Sequence, residues 1–138
     1  MRVMVLVKAS EESESGRMPT TNELAEMSAF NEDLLMAGVM VTGEGLQPSA
    51  QGVRVRFDKD DGTVLDGPFP ETKQLVAGFW IWQVRSMQEA VEWLRRAPFR
   101  EGEVELRPIY EVEDFGDAMT PELREAEERM REQESAAR

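Results

Sequence analysis

The chain has 138 residues, 41% of them hydrophobic and 32% charged, which is the size and balance of one globular domain. It contains neither Cys nor His, which excludes disulfides, thiolate and imidazole metal sites, a cysteine nucleophile and a Ser-His-Asp triad. Acid–base work is left to carboxylates, Lys, Tyr110 or water. The net charge of −12 sets up a field that repels phosphate backbones and anionic lipid, so neither nucleic acid nor a membrane is an expected partner.

Met1–Lys8 is a continuous apolar run and predicts a short central strand, covered on both faces or closed into a barrel. It lacks the long apolar core and small-residue cleavage site of a leader. No run in the chain approaches the ~18 residues of a membrane span, and the expected compartment is the cytoplasm. Ala9–Met18 is Ser/Glu-rich and predicts a mobile loop, with a lid as the second reading. Thr20-Thr21-Asn22-Glu23 is a capping box that opens a helix whose stripe is Leu24, Met27, Phe30 and Leu34, ended by Gly38. Burying those four side chains contributes on the order of 6–10 kcal/mol before entropy is subtracted.

Val39–Thr42 predicts a second strand running into a turn at Gly43-Glu44-Gly45. Val53–Phe57 alternates strictly, Asp58–Gly62 carries turn residues and Thr63–Asp66 returns, so residues 53–66 form a hairpin arm. Val76–Val84 is the strongest strand, with Trp80 and Trp82 on the face opposite Phe79 and Ile81. Ser86-Met87-Gln88-Glu89 is a second capping box, followed by the stripe Met87, Ala90, Leu94 and Ala97 until Pro98 stops the helix. Val104–Tyr110 is a closing strand. Thr120-Pro121-Glu122 starts a last helix that has only Leu123, Ala126 and Met130 for an apolar face.

Without the arm the order is strand, helix, strand, strand, helix, strand: an α+β, ferredoxin-like antiparallel sheet (βαββαβ with an inserted β-hairpin) and both helices on one face. The other face, to which some of Val3, Val5, Val7, Trp80 and Trp82 are expected to point, is apolar and calls for a partner. A homodimer through the sheets supplies one.

The run Asp66-Gly67-Pro68-Phe69-Pro70-Glu71-Thr72-Lys73 resembles the DGPF motif of the YCII-related family. The resemblance continues in Gly43-Glu44-Gly45-Leu46, Gly78-Phe79, Glu89-Ala90-Val91-Glu92-Trp93 and Glu105-Leu106-Arg107-Pro108-Ile109. It covers residues 1–112 and implies a dimeric α+β barrel with a cavity between sheet and helices; the acidic helical extension expected over 113–138 lies outside it. One branch of the family carries a His-Asp pair thought to act on small aromatic or lactone-like substrates; with no His that pair does not carry over. The family's company with sigma-factor proteins of the extracytoplasmic type implies a regulatory alternative.

Asp66-Gly67-Pro68 reads first as a turn, the Asp side chain bonding the backbone two residues on. The functional reading takes Asp66 and Glu71 as candidate proton acceptors on a loop held by rigid strands. Glu44, Thr72, Lys73 and Arg107 are candidate substrate contacts, Arg107 pairing with Glu71 or Glu44 or holding a carboxylate ligand. The plainer reading comes first for three of them: Glu44 as an exposed turn acid, Lys73 as a solvated lysine and Arg107 as a structural ion pair. Glu44, Asp66 and Glu71 could offer oxygens to a hard cation, but their spacing is not that of an EF-hand, and no metal or cofactor is expected. Two functions follow: a cofactor-independent enzyme acting on a small organic acid or lactone, or a non-catalytic module that senses a small ligand. A weaker third, an interaction scaffold, uses the acidic tail.

Overall fold

The computed structural model describes residues 1–57, 59 and 62–137. Two compact units divide the chain, Met1–Pro108 and Ile109–Arg138. The first is built on a four-stranded antiparallel sheet ordered β2-β5-β1-β6, where β1 is Arg2–Lys8, β2 Met40–Gly45, β5 Val76–Gln83 and β6 Val104–Pro108. Strand β1 lies inside the sheet between β5 and β6, as its continuous apolar run requires. Helices α2, Thr21–Met36, and α3, Met87–Leu94, follow β1 and β5 in chain order, which is the ferredoxin-like arrangement.

Both helices start where hydroxyls accept the first free N–H groups. The Glu23 N–H donates to the Thr20 hydroxyl and the Glu89 N–H to the Ser86 hydroxyl, each at 3.1 Å. The reciprocal half of the box is remade in α3: the Glu89 carboxylate accepts from the Arg85 N–H at 2.7 Å rather than from the capping residue. Gly38, at φ 72°, takes the left-handed position that follows α2. Of the expected α2 stripe, Phe30 and Leu34 are buried and Met27 packs beside them, but Leu24, in the first turn, is 57% exposed.

The core lies between the helices and one face of the sheet. Val3, Val5, Trp80 and Trp82 all point there and are buried, with Val7 packed alongside. This corrects the expectation that some of them face the uncovered side. Phe30 meets Trp80 edge-on, centroids 5.8 Å apart at 78°, a geometry that opposes ring edge to ring face. Trp82 is wholly buried and its Nε1–H has no acceptor among the described residues.

The opposite face follows from the register. Glu44, Phe79, Leu6 and Glu105 form one cross-strand row, and Thr42, Ile81, Met4 and Arg107 the next. Four apolar side chains stand at the centre, with Glu44 and Thr42 at one edge and Glu105 and Arg107 at the other. No helix of the first unit covers them.

Between β2 and β5 the chain forms the expected arm, β3, Val53–Phe57, paired with β4, Gly62–Asp66. Its proposed turn falls on residues 58, 60 and 61, which lie outside the described set. Val53, Val55, Phe57 and Val64 are exposed on the arm. Its base is firmly tied: the Gly67 N–H donates to the Gly52 carbonyl at 3.0 Å and the Phe69 N–H to the Ser49 hydroxyl at 3.0 Å. A Cβ on Gly67 would collide with the Ser49 carbonyl, so only Gly fits at that crossing. The Gly67–Pro68 peptide is cis.

Ala9–Met18 departs from expectation. Residues Glu11–Glu14 form a short helix, α1, capped by Ser10, and the Glu14 carboxylate accepts from both the N–H (2.9 Å) and the hydroxyl of Ser49. A segment that composition marks as loose is pinned through its own Glu14 carboxylate to Ser49, 35 residues on in sequence.

The second unit holds a kinked 3-10 segment, Val112–Ala118, and α4, Pro121–Ala137, whose Leu123 N–H donates to the Thr120 hydroxyl at 3.2 Å. Tyr110 and Phe115 stack at 5.1 Å, while Leu123 and Met130 each remain 53% exposed. Among the described residues no helix is long and apolar enough to cross a membrane.

Candidate functional site

A cavity of about 230 Å³ opens at the β2 edge of the sheet, between α2, β5 and the segment after α3. It exists because side chains are missing. Strand β2 was expected to end before Gly43-Glu44-Gly45; instead it pairs with β5 through all three, Gly43 against Trp80, Glu44 against Phe79 and Gly45 against Gly78. The period of two puts Gly43, Gly45 and Gly78 on the helix side beside Trp80, so three positions that would carry core side chains present bare backbone. A Cβ on Gly45 would meet nothing within 4 Å, whereas one on Gly43 would strike the Trp80 indole.

Met27 and Asn31 of α2, with Phe99, Val7 and Trp80, wall this floor. The Trp80 Nε1–H donates to the Asn31 Oδ1 at 2.9 Å. Ring contacts with Phe30 and Phe99 fix the indole further, Phe99 lying 6.1 Å away at 72°. The lining is thus aromatic and apolar, with one side-chain amide as its polar point. The volume lies below the ~300–1,000 Å³ of drug-sized sites, which suits a metabolite-sized guest.

The residues singled out from sequence are spread around this cavity rather than gathered in it. Glu44 borders it, but its row is that of Phe79, so its carboxylate is directed to the sheet face away from the helices. Asp66 ends β4 opposite Val53 and is exposed. Glu71 is exposed and ion-paired with Arg54 at 3.3 Å, while the Arg54 guanidinium lies 3.8 Å over the Phe69 ring. Thr72, half-buried, and Lys73, exposed, share the 3-10 turn Thr72–Gln74. Arg107 pairs with neither Glu71 nor Glu44: it projects from β6 and meets Glu105, on its own strand, at 3.2 Å. Of the six, only Glu44 contributes to the cavity lining.

Glu105 and Glu89 are held below the ordinary carboxylate value of 4.5. Hydrogen bonding from Arg107 and then Lys8 holds Glu105 below it, and the Arg85 backbone N–H does the same for Glu89. Neither lines the cavity. Among the described residues no cluster of three or more His, Cys, Asp or Glu could hold a metal ion.

Asn31 went unremarked in the sequence because its significance rests on Trp80, 49 positions on. The glycine floor was legible in part: Gly43 and Gly45, two apart, share a face if the segment is a strand, and lose that meaning if it is a turn.

The chain is 29% identical over 89 residues to the uncharacterised protein R00369 of Rhizobium meliloti (strain 1021), a match spanning 62% of this chain and 72% of that one. Among solved structures it is similar to the 5-chloro-2-hydroxyhydroquinone dehydrochlorinase of Burkholderia phenoliruptrix AC1100, determined in complex with 2,5-dihydroxybenzoquinone. The TM-score is 0.39 and the identity 18%, over 80% of this chain and 96% of that one. The profile of the YCII-related domain matches residues 1–113, and with the sheet order found here it identifies the chain as a member of the YCII-related family.

Proposed function

We propose that this protein binds a small, uncharged organic molecule in the glycine-floored cavity and works as a homodimer. The observation that carries the first part is the cavity's construction: a bare backbone floor, aromatic and apolar walls and a single amide, with no ionisable side chain turned into it among the described residues.

That lining supports ligand sensing over acid–base turnover. A regulatory module, including one coupled to sigma-factor control, fits better than an enzyme for organic acids using Asp66 or Glu71 as proton acceptor and Thr72, Lys73 and Arg107 as anion contacts. Those five lie outside the cavity lining. The enzymatic reading would return if a detected turnover were abolished by Asp66→Asn or Glu71→Gln.

The homodimer rests on the apolar centre of the open face, Met4, Leu6, Phe79 and Ile81, whose flanks are self-complementary. Turned over about an axis across the strands, the face sets Glu105 of one copy against Arg107 of the other, an opposite-charge contact at the β6 edge between two chains of charge −12.

The test of the cavity is a screen of neutral fragments by tryptophan emission and thermal shift, run beside Gly45→Leu, a substitution that fills the cavity where nothing else would be displaced. Hits should lose binding at least tenfold in the variant while its circular dichroism is unchanged. Fragments that bind the variant undiminished would place the ligand elsewhere.

A further inference from the structure

We infer that Asn31 is the ligand's polar anchor and that it selects molecules bearing a hydrogen-bond acceptor, a carbonyl, ether or ring-nitrogen group, over isosteres without one. This rests on the cavity being the binding site. The amide's orientation is not free. The Trp80 indole nitrogen can only donate, so the atom it meets at 2.9 Å must be the Asn31 oxygen, and the Nδ2 group is left with two donors. Neither has an acceptor among the described residues, and Asn31 lines the cavity. Trp80 is itself held by Phe30, Trp82 and Phe99, so the oxygen's partner cannot swing aside to let the amide flip.

The cavity therefore offers fixed donors against aromatic walls and, from side chains, no acceptor turned inward to match a ligand donor. A guest with a carbonyl oxygen beside a flat apolar body satisfies the amide; one lacking an acceptor leaves a half-buried donor without its bond. Carboxylates are disfavoured, since no Lys or Arg lines the walls to offset their desolvation.

The experiment uses two isosteric probes, acetophenone and α-methylstyrene, which differ by a carbonyl oxygen in place of a methylene, against wild type and Asn31→Asp. The variant keeps an oxygen for the Trp80 N–H and removes the donors. Acetophenone should bind wild type roughly tenfold more tightly than α-methylstyrene, and that preference should vanish in Asn31→Asp while α-methylstyrene changes little. Near-ultraviolet circular dichroism should confirm the Trp80 environment is kept. Equal binding of the two probes to wild type would overturn the role of Asn31 yet leave the cavity reading standing. A preference that survives Asn31→Asp, or failure of acetophenone to bind at all, would also overturn it; the cavity itself stands or falls on the Gly45→Leu comparison.

Discussion

Glu105 and Glu89 show how single side chains on this surface depend on charge and backbone donors. Both are titrated below the ordinary 4.5, so their contribution to stability is complete above that value and drains away as pH falls through the lowered folded values. Unfolding midpoints measured between pH 6 and pH 3 should therefore fall less steeply for a Glu89→Gln, Glu105→Gln double variant than for wild type. Parallel curves would mean that neither interaction survives in solution. At this scale the sequence was informative where chemistry is local. Thr20, Ser86 and Thr120 cap the helices they were expected to cap, because a cap needs only residues three apart. Arg107 was illegible for the opposite reason: which carboxylate it meets depends on the register of β6, and its own strand supplied a nearer one.

At the scale of elements, the pinned segment 9–18 is the clearest departure from composition. Ser and Glu in a row suggest disorder, but a Ser10 cap and one long-range carboxylate turn the run into a buttress for the base of the arm. Glu14→Ala should expose the Arg17 peptide bond to trypsin several-fold faster with little change in the thermal midpoint, since α1 buries no side chain of its own. Unchanged cleavage would show that the Ser49 contact does not hold the segment. The hairpin was legible because strict alternation over Val53–Phe57 admits one reading. Strand β1 was legible as an element but not in its facing: Val, Met and Leu alternate with equal hydrophobicity, so the choice between Val3/Val5 and Met4/Leu6 as core residues is settled only by what the helices bring.

For the whole molecule, the apolar rows on the sheet face opposite α2 and α3 are the governing feature. A half-buried apolar set, Met4, Leu6, Phe79 and Ile81, across adjacent strands is the basis for expecting association in solution, and Met4→Asp, which places a charge within it, should yield a monomer by sedimentation velocity with secondary structure intact. A wild type that sediments as a monomer at tens of micromolar would remove the dimer proposal while leaving the cavity, which is lined within one chain, unaffected. The βαββαβ order could be recovered from sequence because helix and strand periods differ. The cavity could not, because it is defined by the absence of side chains at three glycines brought together only when β2 and β5 pair.

The sealed indole nitrogen of Trp82 has a use of its own. With no acceptor beside it among the described residues and no solvent at its ring, its proton can trade for deuterium only when the tryptophan layer comes apart. Where reclosing outpaces exchange, the decay of that single resonance in heavy water would report the free energy of that opening, and its slowing on addition of a guest would convert directly into the free energy the guest lends to the folded chain.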